Sequence, residues 1–382
     1  MVFSHYTERG WTVDNLWHIF TDFYGGQYAP LAFLSYLVLY AGFGYDPFYF
    51  HMFSLLLHIG CVCLVWKLIS SLLRVHGGVS EKQILYVNFI TTLLFAVHPI
   101  NVEAVAWISA LKVLLYAFFY LLRLLCYLRY IRTSKIFYYV LTIGCFLCSF
   151  WGKEQAVTFP LALLIVDWFT NRNMKNLEVW SEKMSFLIMA FFFGIITVLS
   201  QGKGPYEMIF PLYQRLLFGC FALVEYITKS LLPVNLNFFY PFPIVLGEEP
   251  PLHYYLYPVV LLFLMGWIIA YRNNRYLVFG VLLFLVNLLF SIHLFNMSRH
   301  AIVADRYMYL SYVGIAFLIA NGIWWLRKRL SYFKAALVFL FFYCFFLSVY
   351  TFHYTKKWEN TTMVKKYTKE VLEKRLNGSN HL

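Results

Sequence analysis

Long apolar runs separated by short polar connections set the pattern of the chain. The clearest runs lie near 50 to 72, 84 to 99, 113 to 130, 136 to 151, 156 to 170, 184 to 201, 253 to 271, 275 to 295, 303 to 325 and 333 to 353, with two weaker ones near 30 to 43 and 215 to 232. A helix needs about 20 mostly apolar residues to cross a bilayer core. The pattern therefore predicts an all-α polytopic membrane protein with about 10 to 12 transmembrane helices. It divides the chain into an N-terminal segment (1–29), a transmembrane domain (30–354) and a basic C-terminal tail (355–382).

Charge orders these runs. RYIRTSK (129 to 135), the connection with Arg172 and Lys175, YRNNR (271 to 275) and RKRLSYFK (327 to 334) are basic, which assigns them to the cytoplasmic side. Alternating crossings then bring the N-terminal 49 residues, the 100 to 112 island, WGKEQ (151 to 155), the 233 to 252 connection, residues 296 to 302 and the tail together outside. This holds only if 215 to 232 makes no simple single crossing. Glu225 and Lys229, one helical turn apart, suit a lateral or re-entrant helix there. In the tail, lysines alternate with Val364, Tyr367, Val371, Leu372 and Leu376, the pattern of a short amphipathic helix lying free at the surface.

Composition leaves no room for a separate soluble domain: 61% of residues are hydrophobic, 13% are charged, and mean hydropathy is +0.65. The net charge of +13 sits in loops, with no basic stripe interleaved with exposed aromatics, so the bilayer and not nucleic acid is the expected partner. The seven cysteines fall in or beside apolar runs and read as packed thiols. Cys145 and Cys148 form a CxxC without matching ligands, so no metal site is assigned, and a divalent cofactor is left open. His51 and His58 share a helix face and read as packing groups. The chain opens with some 28 rather polar residues and no cleavable signal, so either the first run is an anchor or a helix belongs before it.

Three polar motifs interrupt the greasy pattern. In FAVHPINVEAVAWISALKVLLY (95 to 116), Asn101 would cap a short helix that places Glu103 and Trp107 one turn apart, a carboxylate beside an indole that suits a sugar. GKEQAVTFP (152 to 160) brings Lys153 and Glu154 to a helix end. VADRYMYL (303 to 310) brings Asp305, Arg306, Tyr307 and Tyr309, with Arg299 and His300 just before; arginine suits phosphate oxygens. Arg123 falls in mid-run and calls for Glu154, Asp167 or Glu225 as its partner. For each motif, an ordinary interfacial anchor or ion pair is the competing reading.

FAVHPINVEAVAWIS, KEQAVTFPLALLIVD and ADRYMYL, in this order, resemble the membrane region of the transmembrane and tetratricopeptide-repeat family. QYAPLAFLSYLVLYAGFGYDPFYFHMFSLLLH (27 to 58) and LLPVNLNFFYPFP (231 to 243) look like two further elements of it, so the likeness covers about residues 5 to 325. The resemblance implies a GT-C glycosyltransferase fold, a polyprenyl-phosphate-linked sugar as donor, and a protein or glycan acceptor on the exoplasmic face. In eukaryotic members the reaction is protein O-mannosylation. The style is nearest bacterial members, which implies an inner membrane with the site facing the periplasm.

Carried over by motif, His98, Glu103 and Trp107 would line the site, with Lys112 beside them. Lys153 and Glu154 would flank it, and Arg299, Arg306 and Tyr307 would bind the donor with Asp305. Glu103 or Asp305 would serve as base. Three departures stand out. The family's first helix and exoplasmic acidic pair would stand before Met1, its Trp-Ile-Ser-x-Arg-Lys-Asp keeps only Lys112 of its charges, and no tetratricopeptide repeats follow. The competing functions are a non-catalytic membrane subunit or lipid-carrier-binding protein, and a transporter, for which the expected internal duplication is missing.

Overall fold

The computed structural model describes residues 2–201, 210–294 and 301–379, and these form an all-α protein. Its helices are α1 (His5–Glu8), α2 (Val13–Thr21), α3 (Pro30–Phe43), α4 (Pro47–His76), α5 (Glu81–Val97), α6 (Val102–Ala106), α7 (Leu111–Thr133), α8 (Ile136–Gly152), α9 (Phe159–Phe169), α10 (Leu177–Gln201), α11 (Leu212–Leu231), α12 (Leu256–Ala270), α13 (Arg275–Leu288), α14 (Met308–Trp325), α15 (Leu330–Thr355) and α16 (Thr361–Ser379). Among the described residues, six helices are long and apolar enough to cross a membrane. A seventh arises if α5 and α6, bent by 51° at His98, count as one span. α3, α8 and α13 are shorter apolar helices, so fewer elements meet the spanning criterion than the hydropathy pattern suggests.

Local chemistry sets the helix ends. Pro47 occupies the first turn of α4 with Asp46 capping it, and Ser80 caps α5 through Gln83. The break after α5 is made by Pro99, and there the structure corrects the expected cap. The His98 ring nitrogen Nδ1 accepts the N–H of Ile100 at 3.2 Å, whereas the Asn101 side chain reaches back to the Phe95 carbonyl at 2.8 Å. Between α13 and α14 the backbones nearly touch. A Cβ on Gly314 would stand 2.5 Å from the Gly280 carbonyl oxygen, so only glycine allows this approach.

The end contacts show successive helices running in opposite directions. Lys112 at the start of α7 meets Gln27, and His58 of α4 meets Tyr309 of α14 at 2.7 Å. At the far end, Tyr127 of α7 bonds Asp167 of α9, and Tyr276 of α13 packs near His76 and Phe169. Lys112 and Tyr127 are separated along α7 by about 22 Å. α11 behaves differently. A Cβ on its Gly219 would strike Ile292, its Tyr226 bonds Ala304 and its Lys229 reaches Asp305, so its contacts follow the α13–α14 connection along one end of the bundle.

The far end carries a closed ionic knot. Tyr127 donates to both oxygens of Asp167 at 2.8 and 2.9 Å, Arg172 holds Glu182 at 2.6 and 2.9 Å, and Lys183 pairs with Asp167. Arg172, read from sequence only as a topological charge, is thus a structural group. Arg123 differs from expectation as well. It is fully buried, hydrogen-bonds to none of the described residues, and lies 3.7 Å from the Phe159 ring centroid and 4.3 Å from that of Tyr120. Of its anticipated acidic partners, Asp167 is engaged in the knot and Glu225 with Lys229 at 3.7 Å, Glu154 forms no ion pair with the described residues, and aromatic faces stabilise the guanidinium instead.

Both terminal segments fold onto the Lys112 end. Gly25 and Gly26, at φ of 57° and 71°, form a two-residue turn that pairs Tyr24 with Gln27 and aims Gln27 at Lys112. Tyr6, Ile19, Phe33 and Tyr36 pack there with Leu111 and Leu115. The C-terminal tail is not free. Tyr367 of α16 donates to the Leu236 carbonyl at 3.1 Å, and Val364 and Tyr367 pack with Tyr354 and Trp358. Val364 and Tyr367 of the α16 stripe find a protein surface where the sequence suggested a solvated or surface-lying end.

Candidate functional site

Three short 3₁₀ or bent segments, each interrupting the helical pattern, meet at this end: the 98 to 110 island, Glu154–Thr158, and Asp305–Tyr307. Glu103 on α6 is fully buried and is the hub. One of its oxygens accepts the backbone N–H of Arg306 at 2.7 Å, and the other meets the Arg306 guanidinium. That guanidinium lies 5.2 Å from the Trp107 ring centroid and 5.1 Å from that of Tyr307. The island and the Asp305–Tyr307 segment, some 200 residues apart in sequence, are therefore locked together by one carboxylate.

Lys153 approaches the same tyrosine, its ammonium 4.6 Å from the Tyr307 ring centroid. The electron-rich Tyr307 ring thus faces two cations, an arrangement that lets like charges stand close. Lys112, bonded to Gln27, lies within electrostatic range of Glu154, Arg306 and Tyr307. Among the described residues, three cations and two carboxylates gather here. Glu154 is partly exposed and forms no ion pair with the described residues.

Asp305 belongs to a neighbouring network. Both of its oxygens accept the Tyr240 hydroxyl at 2.9 Å, and Lys229 lies 3.4 Å away. The Tyr240 oxygen in turn receives the Asn237 N–H at 2.6 Å and is bonded by Lys229. Burial first, then the Asp305 charge, pushes the Tyr240 phenol well above its ordinary value, so it stays protonated and donates. Tyr226 ties the same strand of chain down by accepting the Ala304 N–H at 3.1 Å.

The sequence-derived residues separate into groups. Glu103, Trp107, Lys112, Lys153, Glu154, Arg306 and Tyr307 come together in one cluster. Asp305 adjoins them but is turned toward Lys229 and Tyr240. His98 is buried against Tyr312, its ring 4.1 Å away, and caps its own 3₁₀ turn, the contacts of a packing group. Arg299 and His300 lie outside the described residues. Trp107 is partly exposed, packs edgewise with Phe238 at 5.1 Å, and has the Arg306 guanidinium 5.2 Å from its ring centroid. Gln27, Lys229, Tyr226 and Tyr240 complete the site and were not anticipated. The Lys229 signal was present as a lysine in an apolar run, but its partner Asp305 lies 76 residues on. Among the described residues, no group of three or more His, Cys, Asp or Glu side chains is arranged to hold a metal ion.

An all-α polytopic membrane protein with a buried charged cluster at one end of its bundle is thus the class that fold and site define. No family model and no solved structure matches the chain. Among characterised proteins, it is 32% identical over 189 residues to the protein O-mannosyl-transferase TMTC2 of Mus musculus and 33% identical over 189 residues to that of Homo sapiens; each match covers 45% of this chain and 21% of the relative. It is 28% identical over 172 residues to the protein O-mannosyl-transferase Tmtc3 of Drosophila melanogaster, covering 40% of this chain and 18% of the relative. The chain matches about a fifth of the length of these curated relatives.

Proposed function

We propose that this protein is a membrane glycosyltransferase of GT-C type, transferring a sugar from a polyprenyl-phosphate carrier to a hydroxyl of a protein acceptor, as in protein O-glycosylation. The observation that carries this reading is the convergence of Lys112, Lys153 and Arg306 on Tyr307. Three cations gathered at the end of a transmembrane bundle suit a phosphate headgroup whose apolar chain stays in the lipid. The relatives named as protein O-mannosyl-transferases support the reaction class and favour mannose as the sugar.

In this mechanism Lys153 and Arg306 stabilise the phosphate as it leaves, the point at which negative charge develops. Glu103 holds Arg306 in place by engaging both its backbone and its guanidinium. Tyr307 separates and screens the two cations. On the topology drawn from the basic loops, the cluster faces the exoplasm, the periplasm for a protein of a bacterial inner membrane.

A second reading has its own support. Glu103 and Asp305, the two carboxylates expected to act as base, are both bound by cationic or phenolic donors, which suits a carrier-binding protein without transfer. The two are separated by reconstituting the full chain in nanodiscs with polyprenyl-phosphate mannose and a serine- and threonine-containing peptide. Transfer to the peptide, with Lys153→Gln weakening carrier binding, supports the transferase. Saturable carrier binding without transfer selects the second reading, and absence of both overturns the site.

A further inference from the structure

Three carboxylates stand at or beside the cluster, and their surroundings are unequal. Glu103 is fully buried, with one oxygen on the Arg306 N–H and the other on its guanidinium. Asp305 is fully buried, with both oxygens on Tyr240 and Lys229 beside them. A carboxylate whose lone pairs already serve charged or phenolic donors has little left for a substrate proton. Protonating Glu103 would also strand the Arg306 charge in a buried place.

Glu154 has neither restriction. It opens the Glu154–Thr158 3₁₀ segment, is partly exposed, and forms no ion pair or hydrogen bond with the described residues. Its neighbour Lys153 turns inward to Tyr307 and is 2% exposed. Lys112 and Tyr116 both lie within its electrostatic range. The N-terminal segment packs nearby, Phe20 edgewise on Trp151 at 5.3 Å and Gln27 bonded to Lys112. Glu154 therefore sits at the rim of the cationic cluster, where a hydroxyl arriving from solvent meets the headgroup.

We infer that Glu154 is the general base that takes the proton of the acceptor hydroxyl; this rests on the transferase reading above. The acceptor oxygen forms the new bond to the anomeric carbon of the lipid-phosphate-linked sugar as the bond from that carbon to the phosphate oxygen breaks. The bonding electrons leave with the polyprenyl phosphate, which Lys153 and Arg306 hold, and the acceptor proton moves to a Glu154 oxygen. One O–H and one C–O bond are broken, and one of each is made. Glu103 and Asp305 act as positioning residues, fixing Arg306 and the segment that bears it.

The test uses the full chain in nanodiscs with polyprenyl-phosphate mannose and the hydroxyl peptide. Glu154→Gln should lower kcat by about 10²-fold or more, with carrier affinity within about threefold of wild type. Glu154→Ala should regain turnover on addition of formate, a base small enough for the vacated place. Wild-type turnover in Glu154→Gln overturns the assignment and leaves the transferase reading standing. Loss of carrier binding together with turnover overturns it as well, making Glu154 a binding group. A wild-type protein that binds carrier and never transfers overturns both.

Discussion

The Glu103–Arg306 pair joins two sequence-distant segments, so breaking it should be costly, and the cost should be mutual. Glu103 is fully buried and the Arg306 side chain is 19% exposed. Two unit charges about 4 Å apart at an effective dielectric near 20 attract by about 4 kcal/mol. Measured losses on breaking buried pairs are about 3 to 5 kcal/mol, mostly from the charge left behind. The water that reaches Arg306 and the Trp107 and Tyr307 faces beside it reduce this, so Glu103→Gln should cost about 3 kcal/mol. Arg306→Met should cost a similar amount, because Glu103 then keeps only the backbone N–H. The double variant strands neither charge and should also lose about 3 kcal/mol, a coupling of about 3 kcal/mol. Reversible unfolding in mixed micelles with increasing dodecyl sulfate, followed by circular dichroism, reads all four corners of the cycle. If the double variant loses about 6 kcal/mol, the sum of its parts, the two residues are independent and the locking argument is refuted.

Asp167→Asn removes a charge facing both Arg172 and Lys183 in the far-end knot, and the same unfolding assay should register a loss of about 3 to 5 kcal/mol. Gly314→Ala places a methyl against backbone atoms of Gly280 and Phe284 at 2.5 and 2.7 Å, so α13 and α14 must separate, at a cost of about 3 kcal/mol in the same measurement. Tyr367, whose phenol is pushed up to about 12 chiefly by burial and then by nearby Tyr350 and Asp305, anchors α16 only while protonated. Its contribution should be complete below about pH 10 and vanish as pH rises through 12. Limited proteolysis of α16 should therefore stay slow to pH 10 and quicken above it, and Tyr367→Phe should abolish that rise.

Much of the helical framework was legible because apolar runs report lipid contact directly. α12 shows this in the extreme: it has no buried residue at all, and its sequence is nearly uniform in hydropathy. The three polar interruptions were legible for the complementary reason, since charges in such a chain need partners. Which partners they take was not legible. Arg123 looked like half of an ion pair, yet three aromatic rings serve it, and aromatic residues are too common here to mark that role. Asp305 looked like a candidate base because Tyr240 and Lys229, which occupy it, lie 65 and 76 residues away. The docking of α16 was hidden for a related reason. Its apolar stripe fits a lipid surface or a protein surface equally well, and the bond from Tyr367 to the carbonyl of buried Leu236 decides between them.

Gln27 reaches Lys112, and Tyr367 reaches Leu236, at the same end of the bundle. A chain whose two ends lie on one side of a bilayer has crossed it an even number of times. Halves of a split fluorescent protein fused to the two ends would share a compartment and reassemble.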